Sequence, residues 1–381
     1  MGNIDVVKVG CKREMDDFIR LPYRIYENCP QYVPDLEGEI RNLFNQKKNP
    51  AYEFSQIQPF VAYRDGVCVG RIAGIINRKA NERWKRRNVR FSLIEFVDDL
   101  DVSKALIEAV SQWGQSQGMD TIHGPLGITD FDKEGMLVED FHLTGSMNTI
   151  YNPEYYPRHM EALGFEKEVD WVQIRINIPK EVPARYARTA QYAREQIGLR
   201  VVKLPRDAKK RQDYGRKVFK LFNEAYAPIF GFSEISIEQA DMFLKKYLNL
   251  INWKLIPIVI NEQDEIVGVA VTMCSLSKAM QKAKGKLWPF GWWPLLKGLK
   301  LCCEDNAEML LVAVRPDYQG LGVNALFFDD LIPIYNEYGL RWAETGPQLE
   351  DNVRELTQWK PLQPEQVKRR RCYRKELKDK S

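Results

Sequence analysis

The chain has 381 residues, 44% of them hydrophobic, which is long for one domain and supplies apolar surface for two ordinary cores. Lys+Arg 56 against Asp+Glu 52 leave a net charge of +4, too little at this length to argue for a nucleic-acid partner. The seven cysteines form no CxxC pair and no Cys/His ligand spacing, the opening MGNIDVVKVGCKREM lacks the apolar core of a signal peptide, and no apolar run approaches transmembrane length, so a cytoplasmic protein without a metal is expected.

In chain order the first half reads as a strand at Asp5-Val6-Val7-Lys8-Val9, a helical stretch CKREMDDFIRLPYRIYEN, and a hairpin PFVAYRDGVCVGRIAGI over 59–75. A strand RFSLIEFV, a helix VSKALIEAVSQWGQSQG, a strand DTIHGPL and a terminal strand VDWVQIRINI follow. PARYARTAQYAREQIG, 183–198, begins with Pro183 and reads as a connecting helix. About two hundred residues on, the order recurs: Arg200-Val201-Val202-Lys203-Leu204, a helix DAKKRQDYGRKVFKLFNEAY, a hairpin IPIVINEQDEIVGVAVTM over 256–273, a strand EMLLVAV, a helix VNALFFDDLIPIYNEYG, a strand LRWAETG and a last strand near RRCYRKEL. Gly70 and Gly268 fall at corresponding points of the two hairpins. Each half therefore predicts β, helices, hairpin, β, α, β, α, β, an α+β arrangement in duplicate.

Residues 310–332, LLVAVRPDYQGLGVNALFFDDLI, join an apolar strand to an amphipathic helix through Gln319, Gly320, Leu321 and Gly322. A helix opening there leaves backbone N–H groups unpaired with the positive end of the helix dipole behind them, an arrangement that suits a pyrophosphate. The order Val-x-Pro-x-Tyr-Gln-Gly-x-Gly closely resembles the acyl-coenzyme A signature of the GNAT acyltransferase superfamily. Gln319 matches its first position and Gly322 its fourth, whereas Asn324 stands where that family has Gly or Ala. The resemblance covers nearly the whole chain and implies two tandem GNAT-like folds, each a mixed twisted sheet flanked by helices. Residues 1–182 would be a degenerate first lobe, 183–198 a connecting helix, and 199–381 the lobe holding acetyl-CoA or another acyl-CoA. It further implies that Leu311, Val312, Val314, Gln319, Gly320, Leu321, Gly322, Val323, Asn324 and Asn352 contact that cosubstrate. In the first half the equivalent turn reads Glu95-Phe96-Val97-Asp98-Asp99-Leu100-Asp101, whose aspartates suit a helix N-terminus and repel a pyrophosphate.

The implied reaction is N-acyl transfer, in the first instance acetyl transfer, to a small-molecule or peptide amine entering between the lobes. An amine acceptor must lose a proton before it attacks a thioester, so a general base is needed. Glu308, eleven residues before Gln319, has the spacing at which histone-type members keep their base glutamate, and Glu344 on the next strand is the second candidate. Many GNAT proteins place a tyrosine seven residues after an asparagine; Asn352 matches the asparagine and Trp359 occupies the tyrosine's place. An indole donates a hydrogen bond but is no acid near neutral pH. The alternative is a coenzyme-binding or membrane-surface protein without turnover.

The segment KAMQKAKGKLWPFGWWPLLKGLK, 278–300, sets Trp288, Phe290, Trp292 and Trp293 among lysines. It reads foremost as a pocket lid or packed loop over 286–296, then as a membrane-surface element, and least as a nucleic-acid stacking platform. The basic run Lys368-Arg369-Arg370-Arg371 coincides with the last strand, and a solvated edge is expected there. His123, His142 and His159 show no metal-ligand spacing and read as structural.

Overall fold

The structure is a computed structural model that describes residues 2–129, 131–247 and 251–377. In chain order the elements are β1 (Ile4–Lys8), α1 (Lys12–Ile25), α2 (Glu37–Leu43), β2 (Ser55–Arg64), β3 (Val67–Asn77), α3 (Arg78–Trp84), β4 (Asn88–Phe96), α4 (Leu100–Ser116), β5 (Thr121–Gly124), β6 (Met136–Leu137), α5 (Tyr155–Ala162) and β7 (Glu166–Asn177). There follow α6 (Ala184–Gln196), β8 (Arg200–Val202), α7 (Ala208–Tyr226), α8 (Ile237–Tyr247), β9 (Ile258–Ile260), β10 (Ile266–Cys274), α9 (Ser277–Ala283), α10 (Trp292–Leu301), β11 (Asn306–Val314), α11 (Val323–Glu337), β12 (Trp342–Thr345), β13 (Gln348–Leu349), α12 (Val353–Thr357) and β14 (Glu365–Glu376). The duplicated order expected from the sequence is present: strand, two helices, hairpin, strand, helix, strand, then a further helix and a closing strand, twice.

The chain divides into two compact units, residues 1–172 with 277–292 and 368–381, and residues 173–276 with 293–367. This division differs from the sequence-based one at 182 and 198 in three ways. Helix α6 lies within the second unit, where Ala190 and Ala193 are fully buried in the core with Val323 and Phe327 of α11. Residues 277–292 count with the first: the Ser277 hydroxyl donates to the Gly145 carbonyl, and the Gln281 amide donates to those of Pro30 and Tyr32. The closing strands are exchanged. β14, from the end of the second repeat, pairs antiparallel with β5 (Tyr373 opposite Gly124, Arg374 opposite His123), while the end of β7, from the first repeat, pairs antiparallel with β12 (Glu344 opposite Arg175). The basic run on β14 is accordingly no solvated edge; Arg370 is buried and Arg371 pairs with the buried Asp170 at 2.8 Å.

Within each unit the second hairpin strand carries a glycine because a helix lies directly on it. A Cβ on Gly70 would stand 2.9 Å from Val102 Cγ1 and 2.7 Å from Leu106 Cδ1 of α4; one on Gly268 would stand 2.5 Å from Val323 Cγ1 and 3.0 Å from Phe327 Cζ of α11. Both pairs are spaced i, i+4, one helix face. The registers agree as well: Gly70 lies opposite Phe96, the last residue of β4, and Gly268 opposite Val314, the last residue of β11. The two glycines are therefore the same position of one repeated framework.

Cys274 and Cys302 are joined by a disulfide with Cα atoms 5.3 Å apart, a pairing that the cysteine spacing does not announce. The aromatic segment also departs from the packed or lid-like reading, because Trp288 and Phe290 are each 79% exposed. Among the described residues no helix is long and apolar enough to cross a membrane.

Gly268→Ala should lower unfolding stability by about 1–3 kcal/mol, since α11 must shift to admit one methyl group. Urea denaturation checks this, and a change below ~0.5 kcal/mol would mean that α11 is not seated on β10 as described.

Candidate active site: an open strand, a glycine turn and paired carboxylates

β11 is flanked on one side by β10 along its length. On the other it pairs in parallel with β12 only from Asn306 to Met309, opposite Trp342 to Thr345. A final bond, Gly346 N–H to the Met309 carbonyl at 2.7 Å, closes that ladder. Beyond it the strands part, and the apolar residues Met309 to Val312 are only half-buried. At the same place β11 bulges: Val271 lies opposite Leu311 but Thr272 opposite Met309, which leaves Leu310 over. The extra residue shifts the alternation, so that Met309, Val312 and Val314 all pack on the core of the unit. The sequence shows the strand but not the bulge. The Tyr226 hydroxyl of α7 donates to the Val312 carbonyl at 3.0 Å, a contact from distant sequence with no motif to announce it.

The turn after β11 has the geometry its glycines suggest. Gly320 and Gly322 sit at φ 84° and 89°, the left-handed region that glycine enters without penalty. Gly322 is the residue capping α11, and no side chain caps that helix, so the first-turn N–H groups of Val323 and Asn324 keep their capacity for an anion. A Cβ on Gly320 would meet nothing within 4 Å, whereas one on Gly322 would meet Ala193 Cβ at 3.0 Å and the Thr189 carbonyl at 3.2 Å. The turn is thus backed by α6 and open on its Gly320 side. Gln319 is exposed and Leu321 largely so. Asn324 donates to Gln358 Oε1 at 2.5 Å, and among the described residues Asn324 Oδ1 and Gln358 Nε2 are buried without a partner. These unsatisfied atoms beside a bare helix N-terminus fit a polar ligand. Asn352 is exposed; its segment brings Gln358 and Trp359 to α11. Trp359 is core, packed edge-on against Phe328, its indole N–H donating to Gln348.

The two candidate bases are brought together. Glu308 and Glu344 lie opposite each other in the parallel β11–β12 pairing, so their side chains share a face. Both are buried. Glu308 accepts from the Ser275 hydroxyl at 3.0 Å. Glu344 accepts from Gln173 Nε2 at 3.0 Å and from Arg175 at 3.2 Å, the Arg175 guanidinium lying over the Trp342 ring. Two neighbouring carboxylates in a buried site repel unless a cation or proton is shared. Arg175 supplies that cation to Glu344, and Glu308 stands one residue before the strands part.

The first unit builds the same framework and fills it. β4 pairs with β5 only over Asn88 to Arg90, and it bulges between the residues opposite Arg71 and Ala73. Its helix α4 is capped by Asp99, whose carboxylate accepts from Asp101 N–H and pairs with Arg64 at 2.7 Å. The Arg64 hydrogen bond holds the Asp99 carboxyl below its ordinary value. An anionic ligand would find a carboxylate already at that helix end. Beside β4 lies a narrow cleft lined by Tyr32, Arg71, Glu95 and Tyr156. Tyr26 and Tyr156 donate to Glu95 Oε2 at 2.6 and 2.8 Å, and Arg71 lies 3.7 Å from Oε1. By register the second unit has Val269 and Ala313 in place of Arg71 and Glu95.

Two histidines are tied into this unit. His159 bonds with Ser103 and Asp98. His123 bonds with Glu168 at 2.9 Å, and the Cys372 thiol lies 3.5 Å from the same carboxylate. His123, Glu168 and Cys372 offer three ligand-type atoms within 4.8 Å, a juxtaposition created by β14 and invisible in residue spacing.

No family profile matches the sequence. The chain is similar over 373 residues to Protein YghO of Escherichia coli (strain K12), at 26% identity, covering 96% of this chain and 94% of that one. It is similar over 319 residues to the bacterial ceramide synthase of Caulobacter vibrioides (strain NA1000 / CB15N), at 25% identity, covering 83% and 82%. Its structure aligns with a tandem GNAT protein from the clavulanic acid biosynthesis pathway across 100% of both chains, with a TM-score of 0.59 and 12% identity. The chain has a tandem GNAT fold.

Two outcomes follow for these sites. Gly320→Asp should weaken coenzyme A binding at least about tenfold, because it adds an anion in open space at a backbone angle that aspartate tolerates; titration calorimetry on the folded variant checks this. Burial raises the Glu95 carboxyl above its ordinary value. Between the unfolded value of ~4.3 and that raised value the folded chain holds more protons than the unfolded one, so stability falls as pH rises. The urea midpoint advantage of wild type over Glu95→Gln should shrink as pH rises above ~4.3, and an advantage that is constant or growing would contradict the assignment.

Proposed function

We propose that this chain is an N-acyltransferase that forms an amide between the acyl group of an acyl-CoA and the amino group of a long-chain amine. The observation that carries the reading is the junction of the half-open, bulged strand β11 with the uncapped glycine turn before α11. A thiol ester arm lying along Met309 to Val312 would place its pyrophosphate at that turn. Ceramide is an amide of a fatty acid with a long-chain amino alcohol, and the similarity to a bacterial ceramide synthase favours a lipid amine over a peptide as acceptor.

The thioester supplies an activated carbonyl. Glu308 takes a proton from the acceptor ammonium, whose ordinary value near ~10 keeps it charged at neutral pH. The neutral amine adds to the carbonyl, and backbone N–H groups released by the bulge at Leu310 donate to the oxygen as it gains charge. The nitrogen gives its second proton to water, the C–S bond breaks while the C–N bond remains, and the proton on Glu308 passes to the departing thiolate. Glu344 is held by the Arg175 guanidinium and the Gln173 amide. Trp359 takes no part in proton transfer, because its indole is buried and donates to Gln348.

Glu308→Gln should lower kcat roughly 100-fold or more while coenzyme affinity stays within about twofold, the pattern of a lost transition-state function. The assay follows free thiol release from a long-chain acyl-CoA with an amino-alcohol lipid. Unchanged turnover would remove Glu308 from the mechanism. Coenzyme binding without thiol release for any amine would favour the non-catalytic reading.

A further inference from the structure

We infer that the segment Lys278–Leu301 is a docking surface for an anionic phospholipid bilayer. Trp288 and Phe290, at 79%, are the most exposed large apolar side chains among the described residues, and Leu301 at 64% and Trp293 at 59% lie in the same segment. Leu287, Leu296 and Trp292 add a further 40–43% each. Soluble proteins seldom leave that much contiguous aromatic surface in water.

Helix α10 shows that this is not the fringe of a core. Its inward positions are Leu295 and Gly298. The side turned to water carries Trp292, Trp293, Leu296 and Leu301 together with Lys297 and Lys300. An ordinary surface helix puts only polar residues there. Indole, leucine and lysine together are the composition of an interfacial helix, with rings at the headgroup level and ammonium groups at the phosphates.

Charge selects the occupant. Residues 278–301 contain six lysines and no aspartate or glutamate, and all six lysines are exposed. A second copy of the same surface would set six positive charges against six, so self-association through this face is disfavoured. An anionic bilayer offers the complementary charge and a medium for the rings. The segment is fixed at its near end, since the Gly285 carbonyl accepts from Glu37 N–H at 2.8 Å and a Cβ on Gly285 would strike the Tyr23 hydroxyl at 1.9 Å. A held loop presents its aromatic residues without ordering them anew on contact. Such docking would bring the enzyme to a lipid amine, but its test is independent of turnover.

Cosedimentation with sucrose-loaded vesicles tests it, comparing phosphatidylcholine alone with phosphatidylcholine containing about 30 mol% phosphatidylglycerol. Wild type should partition at least about tenfold better onto the anionic vesicles and lose this preference between ~0.1 and ~0.5 M salt. Trp288→Ser with Phe290→Ser, and separately Lys297→Glu with Lys300→Glu, should each reduce binding about tenfold. Both pairs are exposed, so thermal unfolding and coenzyme binding should match wild type. Binding to neither vesicle by folded protein, or binding unchanged in both variants, overturns the inference. So does wild type eluting as a dimer that the aromatic variant dissociates, which would make the face a protein interface. A failed acyl-transfer assay with intact vesicle binding would leave docking standing and refute only the reaction.

Discussion

The site depends on one constraint: β11 keeps a partner on one side and loses it on the other after Met309. A strand in the interior of a sheet ordinarily has both sides paired. Here the Gly346 N–H ends the ladder with β12, Leu310 is left over as a bulge, and four apolar residues are half-open. Backbone groups left outside the ladder at the centre of a sheet take other partners, as the Val312 carbonyl does in accepting from the Tyr226 hydroxyl, and a ligand strand can complete such a ladder. In the proposed reaction the glycine turn at the end of the same strand serves as the anion site and Glu308 near its start as the base. Strand, turn and carboxylate are thus ordered along one element.

The two repeats differ at few residues along this framework. The framework is shared: a glycine under the helix, a bulge on the central strand, a short parallel pairing that ends early. In the first repeat Asp99 caps the helix and pairs with Arg64, and Glu95 is held by two tyrosines and Arg71. In the second the cap is Gly322, and Val269 and Ala313 take the register positions of Arg71 and Glu95. A buried carboxylate held by hydroxyls and a guanidinium is costly to dislodge, and a phosphate could not displace it. In the proposed reaction the first repeat is scaffold with a polar core and the second is the binding lobe.

Much of this was legible in the sequence, because it rests on local pattern. Strand alternation, helical spacing, the equivalence of Gly70 and Gly268, and the run from Val314 to Asn324 are properties of short stretches. What was hidden depends on pairing between distant segments. The closing strands β7 and β14 have the same pattern, so nothing in the residues says which repeat each completes. The bulge at Leu310 is a matter of register, the Cys274–Cys302 bond joins residues with no spacing signature, and Gln358 and Trp359 reach α11 because of how α12 turns. The aromatic segment looked like packing material by composition, and only its exposure shows otherwise.

The central claim, that the second repeat alone keeps an anion-binding turn on an open strand, is tested most directly by the stoichiometry of coenzyme A binding. Titration calorimetry on the full chain should give one coenzyme A per polypeptide, with heat that disappears when inorganic pyrophosphate saturates the same turn. Two equivalent sites per chain, or one site whose binding is untouched by pyrophosphate, would contradict the account.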